Sequence, residues 1–325
     1  MAKEDLKKLR ADKPEGDYPW WKGADEIKDD VKLHISLPSY SGTLSLDQDA
    51  ALKHALMHTI LGDKLKVEFN FCANDSLVCR ARDKLAAGFL QSDCEWQLQI
   101  DSDIVFPYGM GHNLANYYAN WMAPETFELF LNEGVFRLAL SMNAIDEILR
   151  SGLKDGKKIV GGYYFWRGGN KNFNEAGSLF DPLNEDKWEI EFKLRPDNYI
   201  QTDRLATGFL LVHRSVYEAM DEKYPELAYD LPAVFPDQKT MAYYTPNVTK
   251  EQYAGKEVSF YRSEDYAFGW RAKQCGFDPC LNMNLLLGHN GGTVYSWFDR
   301  PALQKLIISE FDNPRHSISR NKDED

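Results

Sequence analysis

The chain has 325 residues, enough to bury a full core in one large domain. Its 43% hydrophobic and 13% aromatic content is ordinary for a globular protein, and no apolar run reaches the length of a membrane span. A net charge of −12 opposes a broad nucleic-acid-binding face, and five cysteines without a Cys-x-x-Cys pair argue for reduced thiols and against a cysteine zinc site.

Residues 1 to 30 read as a charged leader, with Trp20-Trp21 expected to staple it onto the core. The leader has no apolar signal segment, so a cytoplasmic location is expected. Val31 to Leu37 reads as a buried strand stopped by Pro38-Ser39-Tyr40-Ser41-Gly42. A helix is expected from Leu46 to Leu61, ended by Gly62, and a second strand from Lys66 to Cys72. Asn74-Asp75-Ser76 supplies capping chemistry for a helix whose broad apolar face carries Leu77, Val78, Ala81, Leu85, Ala86, Phe89 and Leu90. The third strand is expected over Trp96 to Val105. Strand, helix, strand, helix, strand predicts an α/β protein with a mostly parallel central sheet flanked by helices.

The middle, from Tyr108 to Arg150, reads as helical, and Lys158 to Arg167 as a strand. Trp188 to Leu194 is strand-like, and Ala206 to His213 a buried strand leading into a short helix from Ser215 to Met220. Residues 221 to 258, with four prolines and many tyrosines, read as a long loop or lid. Ser263 to Gln274 is helical, and Asn282 to Leu287 a last strand before Gly288-His289-Asn290-Gly291-Gly292. One domain over 31–315 is expected, with a disordered tail from 316 to 325.

The feature that carries chemistry is Ile100-Asp101-Ser102-Asp103 at the end of the third strand. Carboxylates at i and i+2 on extended chain share a face and can converge on one divalent cation, whose open positions substrate phosphates fill. The pattern alone is weak. It recurs at Asp47/Asp49, at the start of a helix, and at Asp323/Asp325 in the charged tail, and an Asx turn closing a strand is its plainer explanation. Glu264-Asp265 opens a helix, where carboxylates also suit the dipole. His289 follows an apolar strand. Together they form a chemical set: two carboxylates and an imidazole for Mn²⁺ or Mg²⁺, and a further carboxylate as base.

These segments, in this order, resemble the metal-dependent glycosyltransferases of the GT-A fold, and among them those encoded by bacteriophages. The resemblance covers residues 31–292. It is carried by Pro38-Ser39-Tyr40, the helix Ser76-Leu-Val-Cys-Arg-Ala-Arg82-Asp, Ile100-Asp-Ser-Asp103, Ile159-Val-Gly-Gly162, Ala206-Thr-Gly-Phe209-Leu-Leu, Ser263-Glu-Asp265-Tyr-Ala-Phe and Leu287-Gly-His289. It implies a nucleotide-sugar donor, a UDP-sugar, lying over the first strands at Pro38, Ser39, Tyr40, Asn74 and Arg82, with Asp101 and Ser102 beside it. It implies that Asp103 and His289 ligate the metal, that Asp101 contacts ribose or metal, and that Asp265 is the base of an inverting reaction, with Glu264 holding the acceptor. In a retaining enzyme Asp265 would instead orient substrate. Protein, polysaccharide and, for want of an amphipathic basic anchor, more weakly a lipid-linked acceptor are alternatives, but relatives that glycosylate hydroxymethylated bases make modified phage DNA the expected acceptor. Lys154, Lys157, Lys158, Arg167 and Lys171, interleaved with Tyr163, Tyr164, Phe165 and Trp166, are the nearest basic aromatic stretch for it, although a buried aromatic strand with solvated flanks is the plainer explanation.

Two other classes are weaker. A nucleotidyltransferase calls for a Gly-rich basic loop after the first strand, and Pro38-Ser-Tyr-Ser-Gly-Thr-Leu44 has no basic residue. A non-catalytic sugar-nucleotide-binding module is expected to have lost a carboxylate or the histidine, and none is lost.

Overall fold

The computed structural model of the chain describes residues 26–106, 143–164, 190–192, 199–202, 204–231, 235–253, 255–290, 294–295 and 316–318. The elements in chain order are β1 (Val31–Ser39), α1 (Leu46–Met57), β2 (Leu65–Ala73), α2 (Val78–Gln91), β3 (Trp96–Ile100), β4 (Ile104–Val105), α3 (Ala144–Leu153) and β5 (Ile159–Tyr163). They continue with β6 (Ile190–Phe192), β7 (Tyr199–Gln201), β8 (Phe209–His213), α4 (Arg214–Lys223), β9 (Ala228–Leu231), β10 (Phe235–Met241), β11 (Asn247–Tyr253) and β12 (Lys256–Arg262). The last are α5 (Glu264–Gln274), β13 (Cys280–Leu286), β14 (Gly288–Asn290), β15 (Val294–Tyr295) and β16 (His316–Ile318).

The central sheet has seven strands in the order β2-β1-β3-β8-β5-β13-β7. β1 runs parallel to β2 and β3, and β13 parallel to β5, while β8 and β7 are antiparallel to their neighbours. The expected α/β architecture with a mostly parallel sheet is therefore present. From β1 the chain continues to β2 on one side, whereas β3 leads toward β5 on the other. The carboxyl ends of β1 and β3 thus flank a topological switch point, where open α/β sheets form a crevice.

Period-two alternation gives the sheet two unlike faces. On one, Leu33, Ile35, Leu37, Trp96, Leu98 and Ile100 are buried apolar side chains. α3 covers this face so closely that a Cβ on Gly152 would meet the Trp96 ring at 2.6 Å. On the other, His34, Ser36, Gln97 and Gln99 are buried and polar. α2 lies over them, with Phe89 tilted against His34 at 5.6 Å and the Leu85 carbonyl accepting from Gln97 Nε2 at 3.2 Å.

Several expectations need correction. The third strand stops at Ile100. Asp101 to Asp103 form a turn closed by the Ile104 N–H on the Asp101 carbonyl at 3.1 Å, and β4 joins a separate sheet with β14 and β15. The segment 221–258 is not one long loop: the described residues form the hairpins β9–β10 and β11–β12. Asn-Val-Thr-Lys-Glu-Gln-Tyr and Lys-Glu-Val-Ser-Phe-Tyr-Arg lie either side of Gly255, whose φ of 75° suits a turn. The tail was expected to be disordered from residue 316, yet His316–Ile318 pair antiparallel with β6. Most of the helical stretch expected over Tyr108 to Arg150 lies outside the described residues.

Candidate functional site

The parallel strands β1, β2, β3, β5 and β13 bring their carboxyl ends to one edge of the sheet, and antiparallel β8 begins there. Asp101 stands at the end of β3 with its main chain tied down on three sides. Its N–H donates to the Gly208 carbonyl at 2.9 Å, and its own carbonyl accepts from Ile104 N–H and from Gln48 Nε2. Its carboxylate accepts two bonds from Arg82 Nη2, at 2.8 and 2.9 Å. Arg82 was expected on the donor. Its side chain is instead only 3% exposed and ion-paired with Asp101, which is 30% exposed.

Asp103 lies two residues on, across the turn, so the two carboxylates do not share a face of an extended strand. Its partner is His289: Nε2 lies 3.5 Å from Asp103 Oδ2, with the side chains 12% and 23% exposed. Two main-chain links bring them together. β14 pairs with β4 so that His289 faces Ile104, and Asn290 N–H donates to the Asp103 carbonyl at 2.7 Å. Tyr164 meets the His289 ring edge to face at 5.4 Å, and its hydroxyl accepts from Gly208 N–H at 2.9 Å. Residue 208 has to be glycine, because a Cβ there would lie 2.4 Å from the Tyr164 oxygen. Burial, with the Asp101 and Asp265 charges adding to it, pushes the Tyr164 phenol well above its ordinary range.

Asp265 sits in the first turn of α5, after the N-cap Ser263. Ser263 Oγ and the Tyr266 N–H (2.8 Å) both donate to Oδ1, and no hydrogen bond reaches Oδ2 from the described residues. Burial raises the carboxyl above the ordinary carboxylate range, Glu264 adding to the effect and Arg82 opposing it. Glu264 is half-buried beside it.

At the neighbouring strand ends, Pro38 and Ser39 close β1, and the Ser39 carbonyl accepts from Gly42 and Asn74 N–H groups, both at 3.2 Å. Asn74, with φ 60°, turns the chain out of β2, Tyr40 is exposed, and Ser102 is in the turn between the two aspartates. All five fall on the same edge as Asp101. Arg80, in the first turn of α2, is taken up by a neighbour: with Lys84 it is bonded to Asp75, whose carboxylate also takes the Leu77 N–H and is held well below its usual range, chiefly by Arg80.

The donor set at Asp103 and His289 suits a divalent cation of the Mn²⁺ type, which accepts both carboxylate and imidazole. Adjacent ligands of an octahedral ion at about 2.1 Å are roughly 3.0 Å apart, half an ångström less than the observed separation. Asp101 does not complete a tight triad. Among the described residues, the side chains whose ligand atoms all lie within 4.8 Å of one another are Glu68, Asp93 and Cys94. Two of those are exposed, and Asp93 is ion-paired with Lys32.

The basic aromatic stretch does not form a groove among the described residues. Tyr163 and Tyr164 are buried, Lys154 pairs with Glu26, and Lys157 and Lys158 lie over the Tyr199 and Trp96 rings. The lysines precede β5, at the opposite end of that strand from the aspartates. Phe165, Trp166, Arg167 and Lys171 lie outside the described residues. Sequence reasoning gave no role to Gln48, Gln97, Gln99 or Gly208, and it placed Tyr164 in the basic aromatic stretch rather than beside His289. The signal present was glutamine at alternate positions of an otherwise apolar strand.

No known protein family matches the chain, and no curated protein does. Among solved structures, one described as the crystal structure of A197 from STIV is 13% identical, with a TM-score of 0.36 over 80% of this chain and 86% of that one.

Proposed function

We propose that the protein is a metal-dependent glycosyltransferase of the GT-A fold, moving a sugar from a UDP-sugar to an acceptor hydroxyl. The observation that carries this reading is the meeting of Asp103 and His289, far apart in sequence, at the carboxyl edge of the sheet. A Mn²⁺ or Mg²⁺ ion held there would neutralise the charge that the diphosphate gains as it leaves. The nucleotide lies over Pro38, Ser39, Tyr40 and Asn74, with Asp101 and Ser102 beside its ribose.

Asp265 accepts the acceptor's proton. Ser263 and Tyr266 fix Oδ1, which leaves Oδ2 to face the hydroxyl, and a carboxyl raised by burial binds a proton more readily than an exposed one. Glu264 orients the acceptor from the same helix turn. Tyr164, packed on His289, holds the imidazole ring at the angle that aims Nε2 at Asp103.

The test is a thermal-shift screen of nucleoside diphosphates and UDP-sugars with and without Mn²⁺, followed by assay of nucleoside diphosphate release. A donor at one hundred times its Kd adds about 2.7 kcal/mol of stability. Asp103→Ala is expected to remove the Mn²⁺-dependent part of the shift. Asp265→Asn is expected to keep donor binding and lose transfer by at least about a hundredfold. Full turnover in both variants would end the assignment.

A further inference from the structure

The Asp101 carboxylate is set by a guanidinium that is itself aimed from behind the sheet. Arg82 spans three segments: Nη2 holds both oxygens of Asp101 (2.8 and 2.9 Å), while Nη1 donates to Gln99 Oε1 at 3.1 Å and reaches the Thr207 carbonyl at 3.5 Å. Gln99 can present its oxygen to Arg82 only because its amide nitrogen is engaged elsewhere. Nε2 donates to the hydroxyls of Tyr217 (3.1 Å) and Tyr244, and toward Gln97 Oε1 at 3.3 Å. The two tyrosine oxygens are 2.9 Å apart, Tyr217 donates to Gln97 Oε1 at 2.5 Å, and Gln97 Nε2 donates to Ser36 Oγ at 2.7 Å. Gln97, Gln99, Tyr217, Tyr244 and Arg82 are all buried. A buried polar chain of this kind costs stability relative to a packed apolar core, and it is tolerated where its members satisfy one another, as these largely do, although the Arg82 Nε–H has no acceptor among the described residues. What it provides here is direction.

We propose that Arg82 is a positioning residue that fixes the Asp101 carboxylate, with Gln99 as the group that orients it. Arg82 does not touch the donor. The inference rests on the metal–nucleotide reading of the site and deepens it by naming what sets the geometry of its first carboxylate. Lysine cannot substitute. A single ammonium carries the charge but cannot reach Asp101 and Gln99 at once, whereas the planar guanidinium does so with two separate nitrogens.

The experiment measures UDP affinity with and without Mn²⁺ for the parent chain, Arg82→Lys, Gln99→Met, Asp101→Asn and the double variant Arg82→Lys/Asp101→Asn, each well below its own Tm. Because Asp101 stands beside the ribose, Arg82→Lys and Gln99→Met are expected to weaken UDP binding at least tenfold both with and without Mn²⁺, while the increment that Mn²⁺ adds stays close to the parent's. The double variant is expected to bind no worse than Asp101→Asn alone, because Arg82 acts through that carboxylate. A purely structural role for Arg82 would lower Tm without changing these affinities. Parent-like affinity in Arg82→Lys or in Gln99→Met overturns the proposal, as does full additivity in the double variant. Should Arg82→Lys fail to fold, Gln99→Met, which touches neither Asp101 nor ligand, decides alone. Absence of any Mn²⁺-dependent UDP binding in the parent chain overturns the site reading itself, and this proposal with it.

Discussion

Asp83 follows Arg82 on α2 and serves a different neighbourhood. Its Oδ1 accepts from Tyr244 N–H at 3.1 Å and its Oδ2 from the Tyr229 hydroxyl at 3.3 Å. Burial pushes this carboxyl up to about 7, against the pull of those bonds and of Arg271. An unfolded aspartate titrates near 3.9, so between about pH 4 and 7 the folded chain keeps a proton that the unfolded chain has lost. Stability therefore falls as pH rises through that window, and the loss is complete above it. Asp83→Asn preserves shape, and its amide can donate to Tyr229 while its oxygen accepts from Tyr244. Denaturant unfolding is expected to show the variant matching the parent near pH 4 and exceeding it at pH 8 by up to about 4 kcal/mol. Parallel stability curves would show that Asp83 is ionised in the folded protein. At this scale the motif residues Asp101, Asp103, Asp265 and His289 were legible, because each stands beside a recognisable strand end or helix start. The pairing of Arg82 with Asp101 was not, since nothing local distinguishes an arginine that faces the sheet from one that faces solvent.

α2 shows how one element is completed by another. Its last turn contains no basic residue, so nothing of its own meets the negative end of its dipole. Arg214, the first residue of α4, does so across the fold, donating to the carbonyls of Phe89 (3.0 Å), Leu90 (2.9 Å), Ser92 (2.7 Å) and Cys94 (3.0 Å). Its guanidinium also lies 4.9 Å from the Phe89 ring centroid. Arg214→Met keeps the stem and abandons the four carbonyls, and is expected to cost about 2–3 kcal/mol in chemical denaturation. A change below about 0.5 kcal/mol would mean that water replaces the guanidinium without penalty. α2, with its broad apolar face, and α5, bounded by Ser263 and Gly276, were read close to their limits. The β11–β12 ribbon was not, since its outward face carries Val248 and Tyr261, both exposed, and its alternation is correspondingly blurred.

For the whole molecule, the central strands β1, β3, β8 and β5 are buried almost throughout, while β11–β12 is a two-stranded sheet of its own. Hydrogen exchange is expected to be slowest in β3 and β8 and faster by at least about a hundredfold in β11 and β12, which open without disturbing the core. Equal protection would show the ribbon to be part of the cooperative unit. The ribbon leads directly into α5, so a largely exposed segment ends at the carboxylate assigned as base. The site thus sits where a sheet edge, carrying Asp101 and Asp103, meets a helix delivered by an exposed hairpin.

By itself the sequence determined the alternation of strands and helices, the strand end that carries the aspartates, and the helix start that carries Asp265. These follow from residue periodicity and capping, which act within a few positions of chain. Only the tertiary structure decided that the two aspartates stand across a turn, that His289 meets Asp103, and that Arg82 faces inward to Asp101. Each of those depends on strand order and on the pairing of β14 with β4. Such pairings are chosen by burial over the whole sheet, and no local stretch of chain encodes them.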